Sequence, residues 1–248
     1  MSNAIEHFAS LHVPGKPLLL YNIWDAGSAK AVAAAGAMAI ATGSYGVAEA
    51  NGLKDGETVP MALALDNARR ITGAVDLPVT LDFETGYGAT PAEVAASVAA
   101  AAQTGIVGIN MEDKRAGTRE MVDTAEQVQR LRAAADSGLF VNARCDLFIV
   151  TPSDAHGPAL ADAALERARA YTDAGARGIF FPFVRDEALI AKLCEASPLP
   201  VNILIGEGVP GHRRLADLGV ARISHGHGPW AAAMAWLKRE AEAVFATL

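Results

Sequence analysis

The chain has 248 residues, 51% hydrophobic and 20% charged, which is enough to bury a sizeable core. Its 21 Lys and Arg against 28 Asp and Glu give a formal net charge of −7, with no basic patch, and that argues against a nucleic-acid partner. Cys145 and Cys194 form no CxxC or zinc spacing, MSNAIEHFASLH lacks the basic-then-apolar order of a signal peptide, and no run of about 18 uncharged apolar residues spans a membrane, so a soluble cytoplasmic protein is expected.

Short apolar runs alternate with amphipathic segments. The runs are LLLYNI (18–23), AMAIAT (37–42), PVTLDF (78–83), GIVGINME (105–112), LFVNAR (139–144), GIFFPF (178–183), PVNILI (200–205) and ARISHG (221–226). Each is apolar on both faces and mostly bounded by Gly or Pro, as strands of a parallel sheet covered by helices read. Between them, SAKAVAAAG, TPAEVAASVAAAAQTG and ALERARAYTDAGA carry apolar residues at helical spacing. Thr90, Pro91 and Glu93 form a capping-box start, and Gly36, Gly105 and Gly219 sit where helices end and strands begin. PWAAAMAWLKREAEAVFATL reads as a closing helix. The rhythm predicts an α/β (β/α)8 TIM barrel over residues 1–248 with no linker. A doubly wound sheet is the rival, but the first run ends in NIWDAGSA rather than in GxGxxG.

In such a barrel the chemistry sits at the C-terminal ends of the strands. Those ends carry Asn22, Trp24 and Asp25; Thr42 to Gly46; Asp82 and Glu84; Asn110, Glu112 and Asp113; Asn142, Arg144 and Asp146; Asn202 and then Glu207; and His225 and His227. Alternation puts Asp82 and Glu84 on one face, and Asn110 with Glu112 on another. Three carboxylates converging in the barrel mouth would repel unless a cation neutralised them. Oxygen donors without Cys suit a hard ion, Mg2+ first and Mn2+ as the alternate. Helix capping, or pairing with Lys114 and Arg115, is the bland account of the same acids. TGSYG is either an anion-binding turn or an ordinary βα turn. Arg144 requires an anion, from a substrate or from Asp82 or Glu112. Cys145 faces away from it and packs. His225 and His227 are phosphate-binding, acid–base or plain loop residues.

These segments resemble the isocitrate lyase/phosphoenolpyruvate mutase superfamily. NIWDAGSA, ATGSYGVAEANGLKDGE, LDFETGYG, GINMEDK, NARCD, ALERARAYTDAGARGIFFP, PVNILIGEG and LGVARISHGHGP match it in order over nearly the whole chain. The resemblance implies a (β/α)8 barrel whose last helix is swapped with a neighbour, in a dimer or tetramer. It implies a small 2-oxo or 2-hydroxy acid substrate chelating Mg2+. Asp82 matches the direct metal ligand; Glu84 stands where the family usually has Asp; Glu112 matches a further acid near the metal, acting through water. Ser44, Tyr45 and Gly46 match the segment that grips the substrate carboxylate, beside Trp24. Arg144 matches the arginine that stabilises an enolate, Asp55 an acid on a mobile loop, and Asn202 a polar group near the leaving fragment.

The departures narrow the expectation. The loop EDKRAGTRE lacks the cysteine of the lyases' KKCGH motif, and Phe183 stands where they tend to have Glu. Both changes argue against a tricarboxylate. The loop also lacks the phosphonate mutase's Lys-Thr-Asn-Ser pattern. An oxaloacetate decarboxylase or substituted-malate lyase working through an enolate is the leading expectation. A phosphonopyruvate hydrolase or mutase type, and a dicarboxylate-binding relative without turnover, stay open. Arg115, Thr118 and Arg119 lie in the loop that would touch the variable part of the substrate. A glycoside hydrolase using Glu112 and Glu207 would want aromatic platforms, and this chain has three Trp. A Schiff-base aldolase would want a lysine in a strand, and none of the eight runs contains one.

Overall fold

The computed structural model describes residues 2–247. Eight strands are all parallel: β1 (Leu18–Leu20), β2 (Ile40–Ala41), β3 (Val79–Asp82), β4 (Gly108–Glu112), β5 (Phe140–Arg144), β6 (Gly178–Phe181), β7 (Val201–Leu204) and β8 (Arg222–Ser224). Their order is β1-β8-β7-β6-β5-β4-β3-β2, and a parallel bridge between Ile23 and Thr42 joins the two ends of that series. The result is a (β/α)8 barrel. Each strand is shorter than the apolar run that announced it, and β3, β4 and β5 carry their pairing through to the polar rim residues Asp82, Glu112 and Arg144.

The helices are α1 (Ser2–Ser10), α2 (Ala26–Ala34), α3 (Ser44–Ala50), α4 (Met61–Thr72), α5 (Pro91–Ala102), α6 (Thr124–Ala135), α7 (Leu147–Val150), α8 (Pro158–Asp173), α9 (Glu187–Ala196), α10 (His212–Asp217) and α11 (Gly228–Phe245). Local chemistry starts and stops them. Thr90 and Glu93 form the capping box of α5, with Pro91 as its first residue. Asp25 does the same for α2 with Ser28, so Asp25 is a cap and not a site residue. Gly36 and Gly105 follow α2 and α5 at φ 95° and 86°, a left-handed turn that a side chain would strain.

One continuous apolar cluster fills the space between sheet and helices. At the N-terminal end of the barrel, Phe8 of α1 meets Phe140 edge-on at 5.2 Å, and His12 stacks on Phe140 at 4.4 Å. By contrast, α11 buries only Pro229 and leaves Trp236, Leu237, Val244 and Phe245 exposed. Among the described residues, no helix is long and apolar enough to cross a membrane.

Candidate active site

A cavity of about 140 Å³ opens among the C-terminal ends of the strands. One wall is ionic: Asp82 at the end of β3, Asn110 in β4 and Arg144 at the end of β5. Beside it stand Ser44 and Tyr45, which begin α3, and Asp55 from the loop between α3 and α4. Phe180 of β6, Pro182 and Phe183 after it, and Leu204 of β7 form an apolar stretch of the lining that begins beside Arg144, the cross-strand partner of Phe180. Asn22, Ser224 and His227 complete the ring.

Strand register decides the ionic partnerships. Glu112 and Arg144 are direct cross-strand partners. Arg144 Nη2 lies 2.8 Å from Glu112 Oε2, while its Nε and Nη2 donate to the two oxygens of Asp146 at 2.6 and 2.9 Å. Lys114 Nζ donates to Glu112 Oε1 at 3.0 Å. Burial alone would raise the Glu112 pKa, but Arg144 and Lys114 outweigh it and hold the carboxyl below its usual range. An outer tier fixes this group: Asp113 Oδ1 accepts from the Asp146 backbone N–H at 2.8 Å, and its Oδ2 accepts from Tyr171 Oη and Arg167 Nη1 at 2.7 and 3.1 Å.

Asp82 is placed differently. Its Oδ2 accepts a long bond from the Ser44 backbone N–H at 3.3 Å, and its Oδ1 is buried without a partner. Burial raises its pKa; Arg144 pulls the other way, and Glu112 and Asp55 add to the rise. A buried carboxylate with one idle oxygen beside other acids invites a cation. Among the described residues, however, no three His, Cys, Asp or Glu side chains form a ready-made cage for an ion.

Among the described residues, four non-glycine residues have positive φ, all in loops that follow the strands' C-terminal ends: Glu57 at 61°, Glu84 at 48°, Tyr87 at 51° and Phe183 at 64°. Strained backbone gathers at working sites more than elsewhere. Glu57 latches the Asp55 loop, its Oε2 accepting from the Thr85 backbone N–H at 2.8 Å and from the Thr85 hydroxyl at 2.6 Å.

The sequence matches the family model described as phosphoenolpyruvate phosphomutase over residues 8–245. This chain belongs to the phosphoenolpyruvate mutase/isocitrate lyase superfamily. An uncharacterized protein of Mycobacterium tuberculosis is 35% identical over 241 residues, spanning 96% of this chain and 88% of that one. The 2-methylisocitrate lyase of Escherichia coli (strain K12) is 32% identical over 216 residues, 80% of this chain and 72% of the enzyme. The solved structure of a candidate phosphonomutase from Burkholderia cenocepacia J2315 superposes with a TM-score of 0.95 at 45% identity, covering 97% of this chain and 98% of that one.

As a member of this superfamily, the chain departs from several sequence expectations. The three acids stand close enough for Glu84 to feel the charges of Asp82 and Glu112, but only Asp82 lines the cavity. Glu112 is paired through both oxygens, with Lys114 and with Arg144. The chain leaves β3 at Asp82 and turns left-handed at Glu84, so alternation fails there. Glu84 lines a neighbouring cavity with Tyr87 and Val47, a cavity that also touches Asp82 and Ser44. Burial, and then the charges of Asp82 and Glu112, push its pKa up to about 8. TGSYG is no open turn: Ser44 to Ala50 is helical, and Gly46 faces the Cβ atoms of Trp24 and Trp230 at 3.3 and 3.5 Å from where its own Cβ would be. Trp24 meets Trp230 edge-on at 5.0 Å and stands behind the wall. Asn202 is also behind it, bonded to Ser224 at 3.2 Å.

The loop after β4 is tied to itself, to α6 and to α7. Arg115 pairs with Glu120 and Glu126, Thr118 bonds the Arg115 carbonyl, and Arg119 Nη2 donates to the carbonyls of Ile149 and Val150 at 2.7 and 3.1 Å. None of the three lines the cavity. His225 is held by Leu20 O at 3.0 Å and His212 Nε2 at 3.1 Å, whereas His227 reaches the cavity beside Tyr45. Glu207 is exposed and does not line the cavity. Sequence reading passed over Arg222 entirely. The signal was an arginine inside ARIS, two positions before Ser224 and therefore on the same, inward face.

Proposed function

We propose that the chain is a Mg2+-dependent lyase that breaks a carbon–carbon bond beside the carbonyl or hydroxyl of a small 2-oxo or 2-hydroxy acid. The observation that carries this reading is the contrast between the ionic and apolar parts of the lining. Arg144 is the one Lys or Arg on the cavity lining, and the apolar part is Phe180, Pro182, Phe183 and Leu204. A phosphonate or a third carboxylate at that end would meet no Lys or Arg on the cavity lining beyond Arg144, already paired with Asp146 and Glu112, whereas a neutral or alkyl-bearing fragment would lose water favourably there. The cavity is about 140 Å³, close to the roughly 150 Å³ that holds one benzene ring, so a short diacid suits it better than a tricarboxylate.

The residues present fit a hard ion. Asp82 would hold it through the idle Oδ1, with Glu84 and Glu112 acting through water; Mg2+ commonly binds through one or two carboxylates and keeps several waters. When bound, the ion supplies Lewis-acid stabilisation of negative charge on the substrate oxygens. Ser44 and Tyr45 offer hydroxyls to the substrate carboxylate. With an oxaloacetate-like acid, the bond to the departing carboxylate breaks, its electron pair passes to the carbonyl oxygen as an enolate, and carbon dioxide leaves. Arg144 faces that oxygen, and a proton then returns to carbon. With a substituted malate, the hydroxyl proton leaves, with Asp55 as its acceptor on the cavity rim. The adjacent C–C bond breaks, and the pair is taken up as the enolate of the departing acid, which is then protonated. Arg144, preset by Asp146 and Glu112, needs no rearrangement to act.

Turnover of oxaloacetate, 3-alkyl malates and phosphonopyruvate, with and without EDTA, tests the reading. Metal-dependent release of carbon dioxide or a 2-oxo acid is expected. Release of phosphate from phosphonopyruvate as the dominant activity would overturn it in favour of the P–C type that the phosphonomutase-like neighbour suggests. Assembly belongs to the same reading: Trp236, Leu237, Val244 and Phe245 on α11 form a face that a second copy of the chain would cover, giving a dimer or tetramer.

A further inference from the structure

Beneath the ionic wall, the barrel interior holds an arginine without an acid. Arg222 of β8 is fully buried, and among the described residues no carboxylate lies within ion-pair distance of it. Its Nη2 donates to Asn110 Oδ1 at 3.0 Å, while its Nε and Nη1 have no partner. A buried guanidinium in that state is costly, so it needs an explanation beyond packing.

The explanation lies in Asn110. Its Oδ1 takes a second bond, from Asn142 Nδ2 at 2.9 Å. Arginine cannot accept, so the atom it touches must be the amide oxygen, and the usual ambiguity of an asparagine amide disappears. Both lone pairs of that oxygen are committed downward. The Nδ2 group carries no protein partner, and Asn110 lines the cavity beside its cross-strand partner Asp82. The barrel is hollowed to permit this: a Cβ on Gly178 would stand 2.6 Å from Asn142 Oδ1.

We infer that Asn110 is a substrate-binding residue whose Nδ2 donates to an oxygen of the bound 2-oxo or 2-hydroxy acid, and that Arg222 is its positioning residue, holding the amide in the donating orientation from below. The inference rests on the proposed oxo-acid reading for its ligand, but the positioning half does not. Without Arg222 the amide can turn over and present its oxygen to the anionic ligand and to Asp82, which would repel both.

The test uses full-length protein labelled with [15N]Asn. The Asn110 side-chain amide pair is assigned by its disappearance in Asn110→Leu. Oxalate, a flat dianion resembling an enolate of pyruvate, is added with Mg2+ and its affinity is measured by calorimetry. In the unsubstituted protein the amide pair is expected to shift on binding. In Arg222→Met it is expected to move and broaden, and oxalate affinity to fall about tenfold, the loss of one hydrogen bond to a charged ligand. Arg222→Lys, which keeps one donor and the charge, is expected to recover most of this. Arg222→Met combined with Asn110→Leu is expected to bind no more weakly than Asn110→Leu alone. An Asn110 signal unchanged by Arg222→Met, or losses that add in full in the double variant, would overturn the positioning role. An unsubstituted protein that does not bind oxalate with Mg2+ would instead count against the oxo-acid reading and the substrate contact. If Arg222→Met does not fold, Asn142→Ala removes the other donor to the same oxygen and leaves Arg222 alone to hold the amide; the Asn110 signal is then expected to stay in place, and one that moves and broadens there would overturn the positioning role.

Discussion

His12 should make this fold sensitive to acid, and the size of the effect can be worked out. The ring closes the N-terminal end of the barrel, stacked on Phe140 and edge-on to Phe8. Its Nδ1 lies 2.9 Å from Phe8 O, so Nδ1 carries the proton and donates, and Nε2 is buried with no partner. Burial first, and then the charge of Arg222, lower its pKa from 6.5 to about 3. The folded state therefore keeps His12 neutral while the unfolded chain takes up a proton below about 6.5, so the unfolded state binds more protons across that window. The contribution is complete above the unfolded pKa and is lost progressively as pH falls toward the folded one. At about 1.4 kcal/mol per unit, roughly 2 kcal/mol is gone by about pH 5, with a ceiling near 5 kcal/mol. Urea unfolding of wild type and His12→Asn, from about pH 7 to about pH 4.5 and with metal chelated, isolates the effect. The asparagine amide keeps a donor for Phe8 O and does not titrate. Lost packing should cost the variant a pH-independent 1–2 kcal/mol, on the order of other large-to-small changes. Because only the wild type loses roughly 2 kcal/mol between about pH 6.5 and about pH 5, the gap should close or reverse over that window. Parallel pH profiles would refute the reasoning.

Arg144→Met should abolish measurable turnover and destabilise the protein by about 3–5 kcal/mol, since it leaves Glu112 and Asp146 buried without their shared cation; Arg144→Lys should recover stability better than activity, because it cannot reproduce the two-pronged bond to Asp146. Steady-state kinetics and thermal melts separate the two effects. EDTA should remove activity, and Mg2+ or Mn2+ should restore it while raising Tm, as a ligand that binds only the native state does. Gly178→Ala should cost about 1–3 kcal/mol by overpacking, since its Cβ would collide with Asn142 Oδ1, and chemical denaturation measures it. Trp236→Glu, on the exposed face of α11, should move the sedimentation coefficient to a smaller species without changing the far-ultraviolet spectrum of the barrel.

The barrel was legible because a parallel strand under helices is apolar on both faces, and eight such runs, separated by caps at Thr90 and glycines at 36 and 105, leave little choice of architecture. Asp82 and Arg144 were legible as rim residues for the same reason: they are where the apolar runs stop. What composition and alternation do not carry is register. Glu112 sits directly opposite Arg144, and Asn110 opposite Asn142, only because β4 pairs with β5 as it does. That pairing turns Glu112 from a free ligand into a clamped counter-charge. Alternation also assumes an unbroken strand, and it fails at Glu84, where the backbone turns left-handed two residues past Asp82. Gly46 and Trp24 were misplaced because a seven-residue helix reads like a turn when glycines flank it.

Once Glu112 is clamped by Lys114 and Arg144, the unneutralised acids near the cavity are Asp82 and Glu84, with Asp55 across the rim. Burial already drives Glu84 toward its neutral form, up to about 8. Burial raises the Asp82 pKa as well, so geometry decides between them: Asp82 lines the cavity and its Oδ1 has no other partner. A single committed carboxylate holds a divalent ion only if waters and substrate oxygens fill the remaining positions. On that argument the metal and the oxo acid should bind cooperatively, each tightening the other by the same factor. The measurement is Mg2+ affinity with and without saturating oxalate. Equal affinities would mean the protein holds the ion unaided, and the reading of Asp82 as the principal ligand would have to be abandoned.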